Sequence, residues 1–128
     1  MSSAQAHAPV MSPAQKQEFI IAQMPPKTFA RHLVVKHFKN PNKEFSCLKQ
    51  LWGKESAWNY KAKSPSKDYG IPQRHMSHNT PEQIADFMKH PHIQITWGIG
   101  YIKSRYETPC KALQSWLSRS KNGKGGWY

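Results

Sequence analysis

The hydrophobic positions between Phe45 and Trp52 repeat with the period of an α-helix. Phe45, Leu48 and Trp52 fall at i, i+3 and i+7, and Glu55 follows at i+10 on the same face. The turn-forming stretch Asn40-Pro41-Asn42 precedes this segment and can cap it. The pattern therefore predicts a helix that carries a glutamate at a core-facing position near its end.

A capping residue followed by proline marks the start of three further helices. The pairs are Ser12-Pro13, Thr80-Pro81 and Thr108-Pro109. In the first two, a glutamine at the third helical position completes a capping box. The first helix should end near Gln23, before Pro25-Pro26, with Phe19 and Ile20 on its inner side.

The segment from Lys27 to Phe38 also has a helical pattern, with basic residues between the apolar ones. Phe29, Leu33 and Val34 recur at helical spacing. Such a helix is either a basic recognition helix for a DNA groove or a surface helix with a basic outer face. We favour the surface helix, because no second helix at helix-turn-helix spacing accompanies it.

Residues 92–106 fit both a strand and a helix. Five apolar residues alternate as in a strand: Ile93, Ile95, Trp97, Ile99 and Tyr101. Ile95, Ile99 and Ile102 equally form a helical stripe, and Gly98 and Gly100 would let a neighbouring element pack closely. Periodicity alone leaves both structures open.

Polar and glycine-rich stretches delimit one domain. Residues 1–11 are small, polar and aperiodic, so we expect a flexible arm. Residues 61–70 indicate a polar loop with a short hairpin, and residues 120–128 a glycine-rich loop. A chain of 128 residues suffices for one domain, residues 12–128, composed mostly of short helices.

The charge of the chain indicates a polyanionic partner. The formal net charge is +12, and lysine and arginine are spread along the chain without a run of five. Nucleic acid, an anionic membrane surface and an acidic cell-wall polymer all fit this charge. No stretch of about 18 apolar residues predicts a transmembrane helix, and the first thirty residues lack the apolar core of a signal peptide.

Cysteine and histidine give little indication of a metal or redox site. Cys47 and Cys110 lie far apart and form no Cys-x-x-Cys motif, so a disulfide and two buried thiols are equally allowed. The pairs His75-x-x-His78 and His90-x-His92 lack accompanying cysteines or a His-Glu-x-x-His motif. We therefore predict no metal and no cofactor.

The position of Glu55 has a chemical consequence. A carboxylate on an apolar face loses hydration, which raises its pKa and suits it to act as a general acid near neutral pH. Alternatively, the end of the helix frays and Glu55 reaches water beside Lys54. Periodicity does not decide between the two.

Three motifs resemble the lysozyme-like soluble lytic transglycosylases. They are Glu55-Ser56 at the end of a Cys-x-x-x-Leu-Trp-x-Lys-Glu-Ser helix, Tyr69-Gly70-Ile71-Pro72-Gln73, and the Ile-x-x-Gly-x-Gly-Tyr-Ile run from Ile95 to Ile102. The small secreted actinobacterial type is the most similar, and the resemblance covers residues 45–128. It implies an α+β, mostly α-helical domain of short helices around a central catalytic helix, with residues 93–106 helical.

The resemblance implies cleavage of the bond between N-acetylmuramic acid (MurNAc) and N-acetylglucosamine (GlcNAc) in peptidoglycan. Glu55 would protonate the leaving oxygen and then act as base on the muramoyl 6-hydroxyl, which gives a 1,6-anhydro product. Ser56 and Gln73 would hold the sugar and orient the glutamate.

The remaining site residues also follow from the resemblance. Tyr69, Tyr101 and Trp127, the last in a Gly-Trp-Tyr end, would complete the substrate-binding set. Cys47 and Cys110 fall where the secreted relatives also have cysteines, which implies that they can pair.

A hydrolytic muramidase is the alternative enzyme, since a two-carboxylate glycosidase needs a second acid near the first. Asp68 is the candidate for that second carboxylate, although an aspartate in this loop also suits turn chemistry. Two further alternatives are a non-catalytic basic cell-wall binding protein and a nucleic-acid binding protein. No nucleic-acid motif accompanies the charge.

The expected partners are peptidoglycan glycan strands and, through the basic surface, anionic cell-wall polymers or lipopolysaccharide. We expect a monomer without specific nucleic-acid binding. The missing export signal suggests a phage endolysin released through a holin, or a virion-associated lysin, acting on the wall from the host cytoplasm or from the virion.

Overall fold

The computed structural model describes residues 10–120 and 126–128. These residues form six α-helices and two short strands, and 66% are helical. The helices are α1 (Pro13–Ala22), α2 (Pro26–His37), α3 (Pro41–Ser56), α4 (Pro81–Lys89), α5 (Pro91–Tyr106) and α6 (Pro109–Ser120), and strands β1 (Asp68–Tyr69) and β2 (Arg74–His75) lie between α3 and α4. The prediction of a mostly α-helical fold is confirmed. Residues 1–9 of the predicted arm lie outside the described residues, and Val10 and Met11 are exposed.

Each of the six helices in the described part of the chain begins with a proline. Proline suits the first helical position because its φ is already helical and no hydrogen bond is required of its nitrogen there. The two predicted capping boxes, at Ser12 and Thr80, are both present. Pro26 and Pro91 were expected only to end a helix, but they also begin the next one.

The core lies between α2, α3, α5 and α6, and α3 packs most extensively against α6. On the predicted inner face of α3, Leu48 and Trp52 are fully buried and Phe45 is half-buried. The remaining buried core residues are Phe29, Ala30, Val34, Leu51, Ile71, Ile95, Ile99, Ile102, Ala112 and Leu113. The central helix is thus where the sequence pattern predicts it.

Residues 91–106 form a helix, which resolves the conflict between the two periodicities. Ile95, Ile99 and Ile102 are buried, as the helical stripe requires. Gly98 faces Trp52 so closely that a Cβ atom there would lie 2.5 Å from the indole Cζ2 atom. At Gly100, no described atom outside the helix lies within 4 Å of such a Cβ.

Two local predictions are wrong. Phe19 and Ile20 are 56% and 54% exposed, because α1 contacts the core through Ile21 and the following Met24 instead. Asn40 does not cap α3 with its side chain; it adopts a left-handed conformation with φ of 55°. Asparagine tolerates that conformation, so it reverses the chain before Pro41.

Two links join the N-terminal half of α3 to the start of α6. Glu44 is 7% exposed, and its Oε1 accepts a hydrogen bond of 2.9 Å from the backbone N–H of Cys110. Cys47 forms a disulfide with Cys110, with 5.0 Å between their Cα atoms. Closing a loop of this length stabilises the fold by about 4 kcal/mol in the chain-entropy model.

The two strands form an antiparallel hairpin in which Asp68 pairs with His75 and Tyr69 pairs with Arg74. The sequence predicted a hairpin within residues 61–70, where the structure has an antiparallel bridge between Lys63 and Tyr69. The two strands themselves enclose residues 70–73. Within the described residues, no helix is long and apolar enough to cross a membrane.

Paired glycine substitutions test the packing of α5 against α3. Gly98→Ala should destabilise the protein by about 1–3 kcal/mol, because the new methyl group overlaps the buried indole of Trp52. Gly100→Ala, on the open side of the same helix, should be neutral or stabilising by up to about 1 kcal/mol. Chemical denaturation of both variants measures the difference, and equal stabilities would contradict this packing.

Candidate active site

A cavity of about 380 Å³ opens between the end of α3, the hairpin, α5 and the last residues of the chain. Its lining residues are Glu55, Asp68, Pro72, Gln73, His75, Trp97, Tyr101, Trp127 and Tyr128. Polar groups from the first two elements face aromatic side chains from the other two. The cavity therefore combines titratable groups with flat apolar surfaces.

Glu55 occupies the last turn of α3, three residues after the buried Trp52. Its Oε1 is buried, and no described residue donates a hydrogen bond to it. Burial raises the pKa of Glu55 to about 7; the neighbouring Trp116 indole lowers it in part, and the charge of Asp68 raises it. The Trp116 Nε1 itself has no well-aligned acceptor in the described part of the chain, so we regard its stabilisation of the carboxylate as weak. Glu55 is therefore a carboxyl group that is half-protonated near neutral pH.

The turn between the two strands is fixed to the core at Ile71 through both of its backbone polar groups. The Gln94 Oε1 accepts from the Ile71 N–H at 2.8 Å, and the Ser56 hydroxyl donates to the Ile71 carbonyl at 2.7 Å. Gln94 is fully buried, and its Nε2 donates to the carbonyls of Tyr60 and Phe87, each at 3.0 Å. This network holds the turn beside the end of α3.

Gln73 ends the turn and lines the cavity. It adopts a left-handed conformation with φ of 54°, and its Nε2 donates to the Gly70 carbonyl at 3.0 Å. Gly70 also has a positive φ, of 78°, and a Cβ there would lie 2.5 Å from the Gln94 side chain. The turn thus requires glycine at this position, because any larger residue would displace Gln94.

Tyr128 closes one side of the cavity. Its buried hydroxyl accepts from the Trp52 Nε1 at 2.8 Å and donates to the Pro72 carbonyl at 2.9 Å. Burial is the main cause that raises the pKa of Tyr128 well above its usual value, so it remains a neutral donor. The Tyr101 hydroxyl donates to the backbone oxygen of Tyr128 at 3.1 Å. The Tyr128 hydroxyl thus connects α3 to the turn.

Asp68 lies in the same cavity but is engaged by neighbours. One carboxylate oxygen is 2.9 Å from the His75 Nδ1, and the other accepts from the Ser64 hydroxyl at 2.9 Å. The negative charge of Asp68 contributes to the raised pKa of Glu55. The two carboxyl groups therefore have different environments.

An aromatic wall stands opposite the carboxyl groups. The rings of Trp97 and Tyr101 stack with centroids 5.0 Å apart, and the Tyr101 and Tyr128 rings meet edge to face at 5.5 Å. Trp127 is 47% exposed at the rim of the cavity. Flat apolar faces of this kind can pack against sugar rings.

The cavity brings together most of the residues that the sequence singled out. Glu55, Asp68, Gln73, Tyr101 and Trp127 all line it. The other two predicted site residues do not: Ser56 holds the turn, and Tyr69 pairs with Arg74 in the hairpin.

Sequence reasoning missed His75, Trp97 and Tyr128 in the lining and Gln94 behind it. Trp97 had a signal, since it precedes Tyr101 by one helical turn. Among the described residues, no cluster of three or more His, Cys, Asp or Glu side chains could hold a metal ion.

Comparison with known protein families gives one match. The model of the family described as "Transglycosylase SLT domain" matches residues 32–118. No curated protein and no solved structure gives a significant match to the chain. The matched segment contains α3, the hairpin, α4, α5 and most of α6, and therefore nearly all of the cavity lining.

The pH dependence of the free energy of unfolding tests the environment of Glu55. The folded-state pKa of about 7 lies above the reference value of 4.5, so the folded protein keeps a proton that the unfolded chain releases between these values. The stability associated with the neutral carboxyl is complete below about pH 4.5 and is lost as the pH rises to about 7. Glu55→Gln stays neutral, so its stability relative to wild type should rise by roughly 1–2 kcal/mol from about pH 5 to about pH 8.

Chemical denaturation at the two pH values measures this change. Glu18→Gln, which alters an exposed carboxylate of α1, is the matched control. A stability difference between Glu55→Gln and wild type that is the same at both pH values would contradict the raised pKa of Glu55.

Tyr128→Phe tests the link between α3 and the turn. The variant leaves the Trp52 Nε1 and the Pro72 carbonyl without their partner, which should lower the free energy of unfolding by about 1–3 kcal/mol. Tyr60→Phe is the control, since the Tyr60 hydroxyl makes no hydrogen bond with described residues and its loss should change stability by less than about 0.5 kcal/mol. Equal denaturation midpoints for the two variants would show that the Tyr128 hydroxyl does not stabilise the fold.

Proposed function

The chain belongs to the transglycosylase SLT domain family, whose members are peptidoglycan-cleaving lytic transglycosylases, and we propose that Glu55 is its catalytic acid and base. The single observation that carries the proposal is the buried, unpartnered Oε1 of Glu55 at the wall of the cavity. A carboxyl group with a pKa of about 7 is substantially protonated at neutral pH. The proposed substrate bond joins C1 of MurNAc to O4 of GlcNAc.

In the first step, Glu55 donates its proton to the glycosidic oxygen. The bond from C1 to that oxygen breaks, and its electron pair leaves with the GlcNAc residue. The Glu55 carboxylate then accepts the proton of the muramoyl 6-hydroxyl as O6 bonds to C1. The 1,6-anhydro ring is complete, and Glu55 has regained the proton it gave.

The engagement of Asp68 supports a scheme with one acting carboxyl group. Asp68 accepts hydrogen bonds from Ser64 and His75, so both of its carboxylate oxygens already have partners. Its charge instead favours the protonated form of Glu55, which is the form needed for the first step.

A hydrolytic muramidase is the second candidate, because Asp68 does share the cavity with Glu55. In that reaction a base would activate a water molecule, and the product would carry a hydrated reducing end. The nature of the product distinguishes the two reactions.

The proposed substrate contacts are divided among the cavity residues. Trp127 and Tyr101 would pack against sugar rings, and Gln73 would hydrogen-bond to the sugar beside Glu55. Ser56 contributes indirectly by fixing the turn that carries Gln73. Tyr69, in the hairpin, stays a candidate for binding a more distant part of the strand.

The net charge of +12 supports adhesion to anionic wall polymers or lipopolysaccharide. We also propose that the protein is a monomer and that it acts in bacterial lysis, as a phage endolysin or a virion-associated lysin. The positive charge supports that role, since it would hold the protein on anionic wall polymers. A non-catalytic wall-binding protein and a nucleic-acid binding protein are the alternatives that the following experiment would favour if no glycan is cleaved.

Digestion of purified peptidoglycan by wild type and by Glu55→Gln tests the proposal. Wild type should release fragments lighter by one water than the products of hydrolysis, and Glu55→Gln should release them at least about 100-fold more slowly. Mass spectrometry identifies the fragments, and Asp68→Asn is the control that should retain the anhydro product. Fragments of hydrated mass would establish the muramidase, and no release by wild type would contradict both enzymes.

A further inference from the structure

Three of the four arginines of the chain lie over aromatic rings that line the cavity. The guanidinium carbon is 5.0 Å from the Trp97 ring centroid for Arg74, 5.9 Å from the Tyr101 centroid for Arg105, and 5.0 Å from the Trp127 centroid for Arg119. The fourth arginine, Arg31 of α2, lies over Phe45 of α3, and neither residue lines the cavity. Arginine is thus concentrated behind the aromatic wall.

Arg74 and Arg105 each make no side-chain hydrogen bond to a described residue, and Arg74 is half-buried whereas Arg105 is exposed. Arg119 donates to the Tyr106 hydroxyl and to the Trp127 carbonyl. Arg74 makes no side-chain hydrogen bond to a described residue, and none of the described carboxylates lies within 4.0 Å of it. Burial without a compensating anion lowers the pKa of Arg74. Its five N–H donors therefore have only water to bond to in the part of the chain that the structure describes.

The guanidinium group of Arg74 contacts two aromatic rings, neither of which can accept all of its N–H donors. The group lies 5.1 Å from the Phe87 centroid and 5.0 Å from the Trp97 centroid, and these two rings meet at an interplanar angle of 88°. Stacking uses the faces of the planar cation, whereas its hydrogen-bond donors point outward in the plane. That edge matches the two oxygens of a carboxylate.

The position of Arg74 places this cation at the border of the cavity. Arg74 is not itself a lining residue, but it lies over the ring of Trp97, which lines the cavity, and its chain neighbours Gln73 and His75 do so too. The lining itself contributes two carboxyl groups, Glu55 and Asp68, so an anionic substrate group needs a cation elsewhere. Arg74 is a half-buried cation beside the cavity with no hydrogen-bond or ion-pair partner among the described residues.

Building on the proposed function, we propose that Arg74 is a specificity-determining residue that binds a carboxylate carried by the muramoyl unit of the glycan strand. Such a carboxylate has two sources: the peptide attached to the lactyl group, or the lactyl group itself when no peptide is present. GlcNAc residues carry no carboxylate. Arg74 therefore distinguishes a muramoyl strand from a neutral GlcNAc polymer.

Calorimetric titration with soluble GlcNAc–MurNAc disaccharides measures this recognition without turnover. The four ligands are the disaccharide with its peptide, the peptide-free disaccharide, and both compounds after amidation of their carboxylates. Amidation of the carboxylate that Arg74 binds should weaken binding to wild type by roughly 10-fold or more, as expected for a charge-assisted hydrogen bond. If amidation lowers affinity only in the peptide-bearing pair, the bound carboxylate belongs to the peptide. If it lowers affinity in the peptide-free pair, the bound carboxylate is that of the lactyl group.

Arg74→Gln should bind each carboxylate and its amide equally, and both as weakly as wild type binds the amide. Arg31→Gln is the matched control, since it removes the same group over another aromatic ring, and it should discriminate like wild type. Arg74→Lys keeps the charge without the planar edge, so it should retain only part of the discrimination. Denaturation midpoints of all three variants verify that they are folded.

Two results would overturn the inference. If the wild-type protein binds the carboxylate and the amide equally, or binds neither, it has no carboxylate site. An Arg74→Gln variant that loses affinity for both forms by the same factor shows that Arg74 only positions Trp97. Because titration needs no cleavage, discrimination by a wild-type protein that releases no glycan would contradict the proposed function alone.

Discussion

The candidate site depends on the burial of Trp52 in the middle of the molecule. Its indole packs against Gly98 of α5, and its Nε1 donates to the Tyr128 hydroxyl, which in turn donates to the Pro72 carbonyl. The backbone oxygen of Trp52 also accepts a hydrogen bond from Ser56, whose hydroxyl contacts the turn. One buried ring therefore fixes the distance between α3, α5 and the turn, and the cavity is the space that these elements leave.

Burial of an unpartnered carboxyl oxygen lowers the stability of a fold, so other interactions have to offset it. Ionisation of Glu55 is unfavourable in the folded state, so the end of α3 is less stable at high pH than a neutral side chain would make it. The other half of the same helix is joined to α6 by the disulfide at Cys47 and by the buried Glu44. The strongest constraints on α3 thus lie at one end and the strained group at the other, which is how folds commonly accommodate functional sites.

Local signals in the sequence predicted much of the fold. Capping boxes and prolines gave the starts of α1, α4 and α6, and periodicity gave the inner face of α3 with Glu55 at its end. Periodicity failed where packing decides which face turns inward, as at Phe19 and Ile20 on α1. It also could not find Gln94 or Tyr128, because Gln94 binds Ile71 from 23 residues away and Tyr128 binds Trp52 from 76 residues away. Both residues complete a buried hydrogen-bond network, and the residues next to them in the sequence give no sign of that role.

The electrostatics of the cavity connect the acid, its carboxylate neighbour and the surrounding cations. Asp68 contacts His75 and Ser64, and its negative charge favours a proton on Glu55. The same negative charge would repel an anionic substrate, so a cleft built for acid catalysis on a carboxylate-bearing strand needs positive charge at its border. Arginine meets this need better than lysine, because its guanidinium stacks on aromatic rings, including those we propose to contact the sugar. The arginines behind the wall at Trp97, Tyr101 and Trp127 are consistent with that requirement, whereas the lysines are spread along the chain.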